Sequence, residues 1–163
     1  MARGRDRLVG ELEALYIESF HSYVRVARAI TGDRERALEV VQEGFARAMA
    51  AGASFRGESP LGAWVWRIIV NEARSQSRRP LSEAAYERVE VAVPPRTAEL
   101  APLISALPER QRHAIFLRYY ADLDYRTIAA VLEIEVGTVS ATLAAAHERL
   151  RIALREQEVT ARD

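Results

Sequence analysis

The sequence predicts an all-α protein: two small helical domains, 1–79 and 100–158, joined by a flexible linker at 80–99. Three observations lead to that expectation. Glycine (8) and proline (6) are scarce while alanine and leucine abound, a composition that favours helix. Apolar residues recur at spacings of three and four through most of the chain, the period of a helix face. Between Pro80 and Glu99 that period fails, and Pro80, Pro94 and Pro95 stand among Glu83, Glu87, Glu90, Glu99, Arg88 and Arg96.

The first helix is expected from about Leu8 to Thr31. Leu12, Leu15, Tyr16, Phe20, Tyr23, Ala27 and Ile30 share one face, and Gly32 is the stop. Asp33 is placed to cap the second helix. There Ala37, Val40, Val41, Gly44, Phe45 and Ala48 form the inward stripe, with Glu35, Glu39, Gln42 and Glu43 opposite, up to Gly52. A loop, Ala53 to Ser59, follows. Ser59-Pro60 reads as a cap with proline at the first helical position, opening a third helix that reaches Arg79.

That third helix is the most informative stretch. Leu61, Trp64, Val65, Trp66, Ile68, Ile69 and Val70 cover most of its circumference. Arg67, Asn71, Arg74 and Arg78 fall within about 60° of one another at 100° per residue. A helix buried on most sides keeps arginines on its open face for a partner or for solvent. Guanidinium and amide groups suit phosphate oxygens and base edges, so nucleic acid is the leading partner. Trp64 and Trp66 are expected to pack in the core rather than to serve as stacking platforms.

Past the linker, in which a weak helical turn is expected near Glu83 to Arg88, a helical module resumes around Leu100. A short helix ends near Leu107, and Pro108 opens another that reaches about Tyr120. Asp124 caps a helix Tyr125–Leu132, and a turn leads into a last helix from about Thr138 to Arg155, with a frayed tail. The last two have the size and spacing of a helix-turn-helix. Ala129 sits at their close crossing, over a core of Ile128, Leu132, Ile134, Val139 and Leu143. Val139, Leu143, Ala146, Leu150 and Leu154 form the inward stripe of the last helix. Outward stand Ala141, Ala144, Ala145 and Glu148, flanked by Ser140, Thr142, Arg149 and Arg151. No basic residue occupies the first two turns, and each missing bidentate contact to guanine forgoes about 1–3 kcal/mol of discrimination.

Composition narrows the function. The 23 basic residues are all arginine and are balanced by 23 acidic ones, so nucleic acid must be met by local patches. The absence of cysteine excludes disulfides and cysteine-ligated zinc. His21, His113 and His147 lack ligand spacing, and no metal or cofactor is expected. With no phosphate-cradling glycine loop and no nucleophile motif, an enzyme is the least supported class. No apolar run approaches the roughly 20 residues that span a bilayer, and the N-terminus lacks an apolar signal core. No membrane insertion and a cytoplasmic location are therefore expected.

The ordered segments "ITGD", "ALEVVQEGFARA", "FRGESPLGAWVWRIIVNEARSQSRR", "ALPERQRHAIFLRYYADLDYRTIAAVL" and "GTVSATL" together resemble the extracytoplasmic-function class of bacterial RNA polymerase sigma factors. The resemblance runs from about Leu12 to Leu154. It implies that the first domain is region two, which binds the polymerase clamp and melts the −10 element. The second would be region four, whose helix-turn-helix reads the −35 element. It further implies that Glu39, Gln42 and Glu43 dock on core RNA polymerase, a face suited to a basic partner. Phe55, Arg56, Arg67, Asn71, Arg74, Arg78 and Arg79 would contact the −10 strand of promoter DNA. Arg126, Thr138, Ser140, Ala141, Thr142 and Arg149 would meet the −35 element. An anti-sigma factor is a further implied partner, since no domain is expected beyond region four to control activity.

Several positions depart from the family pattern. Leu38 and Glu39 stand where two acidic residues are frequent, Val70 and Ser75 where arginine and aspartate are common, and Thr127 where glutamate is usual. Glu133 holds the turn position often given to glycine, where a left-handed backbone would cost about 1–2 kcal/mol. Ser140, Ala141, Thr142 and Ala145 replace basic or polar residues, so the departures bear on −35 reading more than on polymerase binding. Two other functions fit parts of the chain. A stand-alone helix-turn-helix regulator would leave the Arg67 stripe unexplained and needs a dimerisation segment that is not evident. A sigma-like interaction protein that reads promoters poorly would suit the alanine-faced last helix.

Overall fold

The computed structural model describes residues 2–78 and 95–161, and every regular element among them is helical. Helices α1 (Ala2–Thr31), α2 (Arg34–Ala51) and α3 (Leu61–Ser77) make the first module. Helices α4 (Pro95–Ser105), α5 (Glu109–Ile115), α6 (Tyr125–Leu132) and α7 (Val136–Thr160) make the second. The expected turn at 83–88 and most of the linker lie outside the described residues. Its last five residues are the start of α4 rather than linker.

In the first module the core is aromatic. Tyr23 lies on Trp66 with ring centroids 4.3 Å apart, and Phe45 meets Tyr16 and Tyr23 edge-on at 5.0 and 5.3 Å. Helix α2 approaches α3 at Gly44, where a Cβ would fall 2.8 Å from Cγ1 of Ile69. Gly32 ends α1 at φ +77°, its amide donating to the Arg28 carbonyl, and Asp33 caps α2 by accepting from the Arg36 amide at 2.8 Å. Both stop and cap match the sequence expectation.

Helix ends differ more. Helix α1 begins at Ala2, not Leu8, since each added residue needs only one more hydrogen bond once a helix exists, and Arg7 pairs with Glu11 along the extension. Pro60 is the residue before α3 (φ −53°, ψ 140°), not its first helical position, and Ser59 makes no cap. Its carbonyl still accepts the first helical bond, from the Trp64 amide at 3.1 Å.

The second module packs Ile104, Leu107, Ile115, Phe116, Leu117, Ile128, Val131, Val139, Leu143 and Ala146 into its core. Asp124 caps α6 by accepting from the Thr127 amide at 2.7 Å. Glu133 does adopt the left-handed conformation, φ 56° and ψ 47°, so the turn carries the backbone cost anticipated from its sequence. Helix α7 starts two residues before Thr138, and the tail read as frayed is helical through Thr160. Leu154 is 37% exposed, so the inward stripe of α7 ends near Leu150. Helix α5 runs on into a π-helical turn, Phe116–Tyr120, that α1 packs against, while α6 packs against α3. Those contacts join the modules.

A candidate nucleic-acid interface

Helix α3 turns Val65, Trp66, Ile69, Val70 and Ala73 inward, all buried. That burial fixes its rotation and puts Arg67, Asn71, Arg74 and Arg78 on the side away from α1 and α2. The stripe is not uniformly open, as the sequence had led one to expect. Asn71 and Arg78 are exposed, whereas Arg67 and Arg74 are half-buried against the second module. Arg74 Nε donates to Glu109 Oε1 of α5 at 2.9 Å, and Arg67 Nη1 to Glu133 Oε1 of the α6–α7 turn at 3.4 Å. The hydrogen bond from Arg74 holds the Glu109 carboxyl below the usual carboxylate range. A third arginine crosses the same boundary, Arg25 Nη1 donating to the Tyr120 carbonyl at 3.3 Å.

Beside the stripe lies a cleft of about 730 Å³ between the modules. Phe55, Arg56, Trp64 and Arg67 line it from one side, Ala129, Glu133 and Glu135 from the other. Trp66 is the core residue expected. Trp64 is only half-buried and meets Phe55 at 5.1 Å, so this pair forms an aromatic wall of the cleft instead. Gly57, at φ +71°, turns the loop that carries Arg56. Asn71, Arg74, Ser75 and Arg78 line a separate shallow depression of about 290 Å³. Arg79 lies outside the described residues.

On α2, Glu39, Gln42 and Glu43 are exposed side by side on the face away from the core. Glu43 accepts from Arg47 Nε at 2.9 Å. Arg47 also reaches Glu72, a buried carboxylate of α3 that accepts from Gln76 Nε2 at 3.0 Å. Sequence periodicity placed no charge there, because a buried glutamate with two partners has the same spacing as an apolar core residue.

On the helix-turn-helix the exposed side chains at the start of α7 are small and uncharged. Thr138, Ser140, Ala141 and Arg149 on α7 and Arg126 on α6 are exposed. Thr142 is half-buried and its hydroxyl donates to the Thr138 carbonyl at 2.7 Å, which occupies its proton within the helix. Tyr119 and His147 share a hydrogen bond of 2.8 Å that ties the π turn to α7. His113 on α5 is buried, and burial pushes its pKa down to about 4, with Arg74 and Arg112 adding to the shift and Glu109 opposing it. Glu109 and Arg25 were not singled out from sequence, and Glu133 only for its backbone, not for a partner. Each finds its partner across a long separation in the chain, for which local spacing holds no signal.

Comparison with known proteins agrees along most of the chain. Residues 17–80 match the family described as Sigma-70 region 2, and residues 97–150 the one described as Sigma-70, region 4. The chain is 36% identical over 134 residues to the ECF RNA polymerase sigma-E factor of Escherichia coli, covering 69% of this chain and 70% of that one. With the RNA polymerase sigma-H factor of Pseudomonas aeruginosa it shares 29% over 164 residues, 87% and 85% of the two chains. Among solved structures, CnrH in complex with the cytosolic domain of CnrY superposes with a TM-score of 0.74 at 23% identity, over 95% of this chain and 94% of that one. The sigma factor RpoE, in complex with the anti-sigma factor NepR from Bartonella quintana, gives 0.66 at 22% identity, over 89% and 97%. At those identities the likeness is one of fold.

Proposed function

The chain belongs to the sigma-70 family, among RNA polymerase sigma factors of the extracytoplasmic-function type, and from that premise we infer how its parts divide the work. The exposed Glu39, Gln42 and Glu43 of α2 dock on core polymerase. The α3 stripe, with Phe55 and Arg56 at the cleft, receives the −10 strand, arginines on phosphates and Asn71 on a base edge. Arg79 extends that set. Arg126, Thr138, Ser140, Ala141, Thr142 and Arg149 meet the −35 duplex. The first module then spans 1–79; the second, expected over 100–158, opens with α4 at Pro95, and the segment between sets their reach.

One observation supports this division above the rest. A helix buried on three sides presents its arginines and asparagine together, beside a cleft walled by Phe55 and Trp64. The protein acts by binding, without a catalytic centre, and works in the cytoplasm where polymerase and promoters are. An anti-sigma factor, such as the NepR bound to RpoE of Bartonella quintana, is a fitting inhibitor. Purified core polymerase given this protein should make discrete run-off transcripts from genomic fragments of its source. No stimulation on any fragment would reject the assignment.

A further inference from the structure

Helix α3 is held in two different ways along its length. Its first half sinks Val65, Trp66, Ile69 and Val70 into the core and lies close on α2 at Gly44. Beyond Val70, only Glu72 and Ala73 are buried among its described residues. Asn71, Arg74 and Arg78, three of the four stripe residues, belong to that second half. Apolar burial is non-directional, and one alanine gives it little to act on, so it positions the second half weakly.

Polar contacts take over there. Glu72 is the one buried carboxylate among the described residues. It receives Arg47 Nη1 from α2 and Gln76 Nε2 from the next turn of α3, the latter at 3.0 Å. Arg36, also of α2, donates from Nη1 to the Gln76 carbonyl at 3.4 Å. Charge-assisted bonds are directional and fix a rotation that Ala73 cannot. Arg47 is itself exposed and uses two arms of its fork, Nε meeting Glu43 at 2.9 Å while Nη1 meets Glu72. One guanidinium thus spans the exposed face of α2 at Glu43 and the turn of α3 that carries Asn71.

We propose that Glu72 is a positioning residue for −10 recognition, holding Arg47 so that Asn71 is placed relative to the polymerase-docking face at Glu43. This rests on the reading of α3 as the −10 strand's site and of α2 as the docking helix. Glu72 and Arg47 touch no DNA in this scheme; both act through Asn71. An apolar side chain at 72 would avoid the desolvation of a buried carboxylate, so what Glu72 contributes is geometry rather than stability.

The test uses the full chain, alone and with core polymerase. Glu72→Gln keeps the shape and an acceptor for Gln76, and Arg47→Gln changes an exposed position, so it carries the test if the buried variant fails to fold. Holoenzyme with either variant should form open complexes about fivefold more slowly on a promoter mapped by run-off transcription. Pull-down of core polymerase by Glu72→Gln should match the parent. Adding Asn71→Ala to either variant should slow the step by no more than about twofold, against about tenfold in the parent, because the two changes act on one contact. A merely structural role would leave the full Asn71→Ala effect on every background, and that result would overturn the proposal. In the free chain, Arg47→Gln should speed amide hydrogen exchange at 72–77 and leave 65–69 protected. Unaltered exchange at 72–77 would overturn it equally. A parent that makes no run-off transcript rejects the −10 reading instead, while the exchange comparison still reports whether the Arg47–Glu72 pair holds α3.

Discussion

The two helices proposed to meet DNA are opposites. Helix α3 is buried on three sides by an aromatic core and shows a narrow cationic edge, half of which is paired within the chain. Helix α7 is buried on one side only and shows a broad face of Ser140, Ala141, Ala144 and Ala145 that is exposed and uncharged. A cationic edge is a strong but unselective binder. A neutral face adds little affinity of its own. On the proposed division of the sites, affinity resides in α3, while α7 contributes position and modest discrimination.

The largest effect that could break this contrast is acid. His113 sits in the second module, beside the Glu109–Arg74 pair, with its pKa depressed from 6.5 to about 4. The folded module thus resists a proton that the unfolded chain accepts. Stability is complete above the unfolded pKa and falls as pH drops from about 6.5 toward 4, by up to about 3 kcal/mol. Glu109, held below the carboxylate range, keeps its charge through most of that window. Hydrogen exchange should show α5–α7 losing protection on acidification while α1–α3 keep theirs. His113→Leu should flatten the response. If the first module melted first, or if the variant kept the full pH slope, the second module would not be the acid-sensitive one.

Next in size is Asn71→Ala. This side chain is exposed, midway along the stripe, and outside the Arg67 and Arg74 pairs. Losing one well-placed amide costs about 1–2 kcal/mol, roughly tenfold in open-complex formation on a cognate promoter. Polymerase pull-down should be unchanged, since Glu39, Gln42 and Glu43 lie on another helix. Undiminished permanganate reactivity at the −10 element would remove Asn71 from the reading set.

How much of this was legible without coordinates follows the range of each interaction. Asp33, Asp124 and Gly32 were readable because caps and stops act over three or four residues. The left-handed Glu133 came instead through the family resemblance, whose turn position is often glycine. The rotation of α3 followed from Val65, Trp66, Ile69 and Val70. The engagement of Arg67 and Arg74 did not, because their partners lie 66 and 35 residues away, beyond the break between the domains. Helix ends at Ala2 and Thr160 were missed for the reverse reason: helix continues past the core wherever propensity allows, and apolar spacing marks only the part that packs.

The smallest expected effect sharpens the contrast most. Ser140→Ala with Thr142→Ala removes the hydroxyls from the outward face of α7. The Thr142 proton is already given to the Thr138 carbonyl, so only an acceptor is lost there, and Ser140 offers one side chain's hydrogen bonding. The cost on a −35 duplex should stay below about 1 kcal/mol, or under fivefold in holoenzyme affinity. Promoter choice in a genome-wide transcript-start assay should shift only among sites that differ at −35. A loss as large as that of Asn71→Ala would place these hydroxyls in direct, desolvated contact with bases. Helix α7 would then discriminate by neutral hydrogen bonds as strongly as α3 does, and the division of labour between the two modules would not hold.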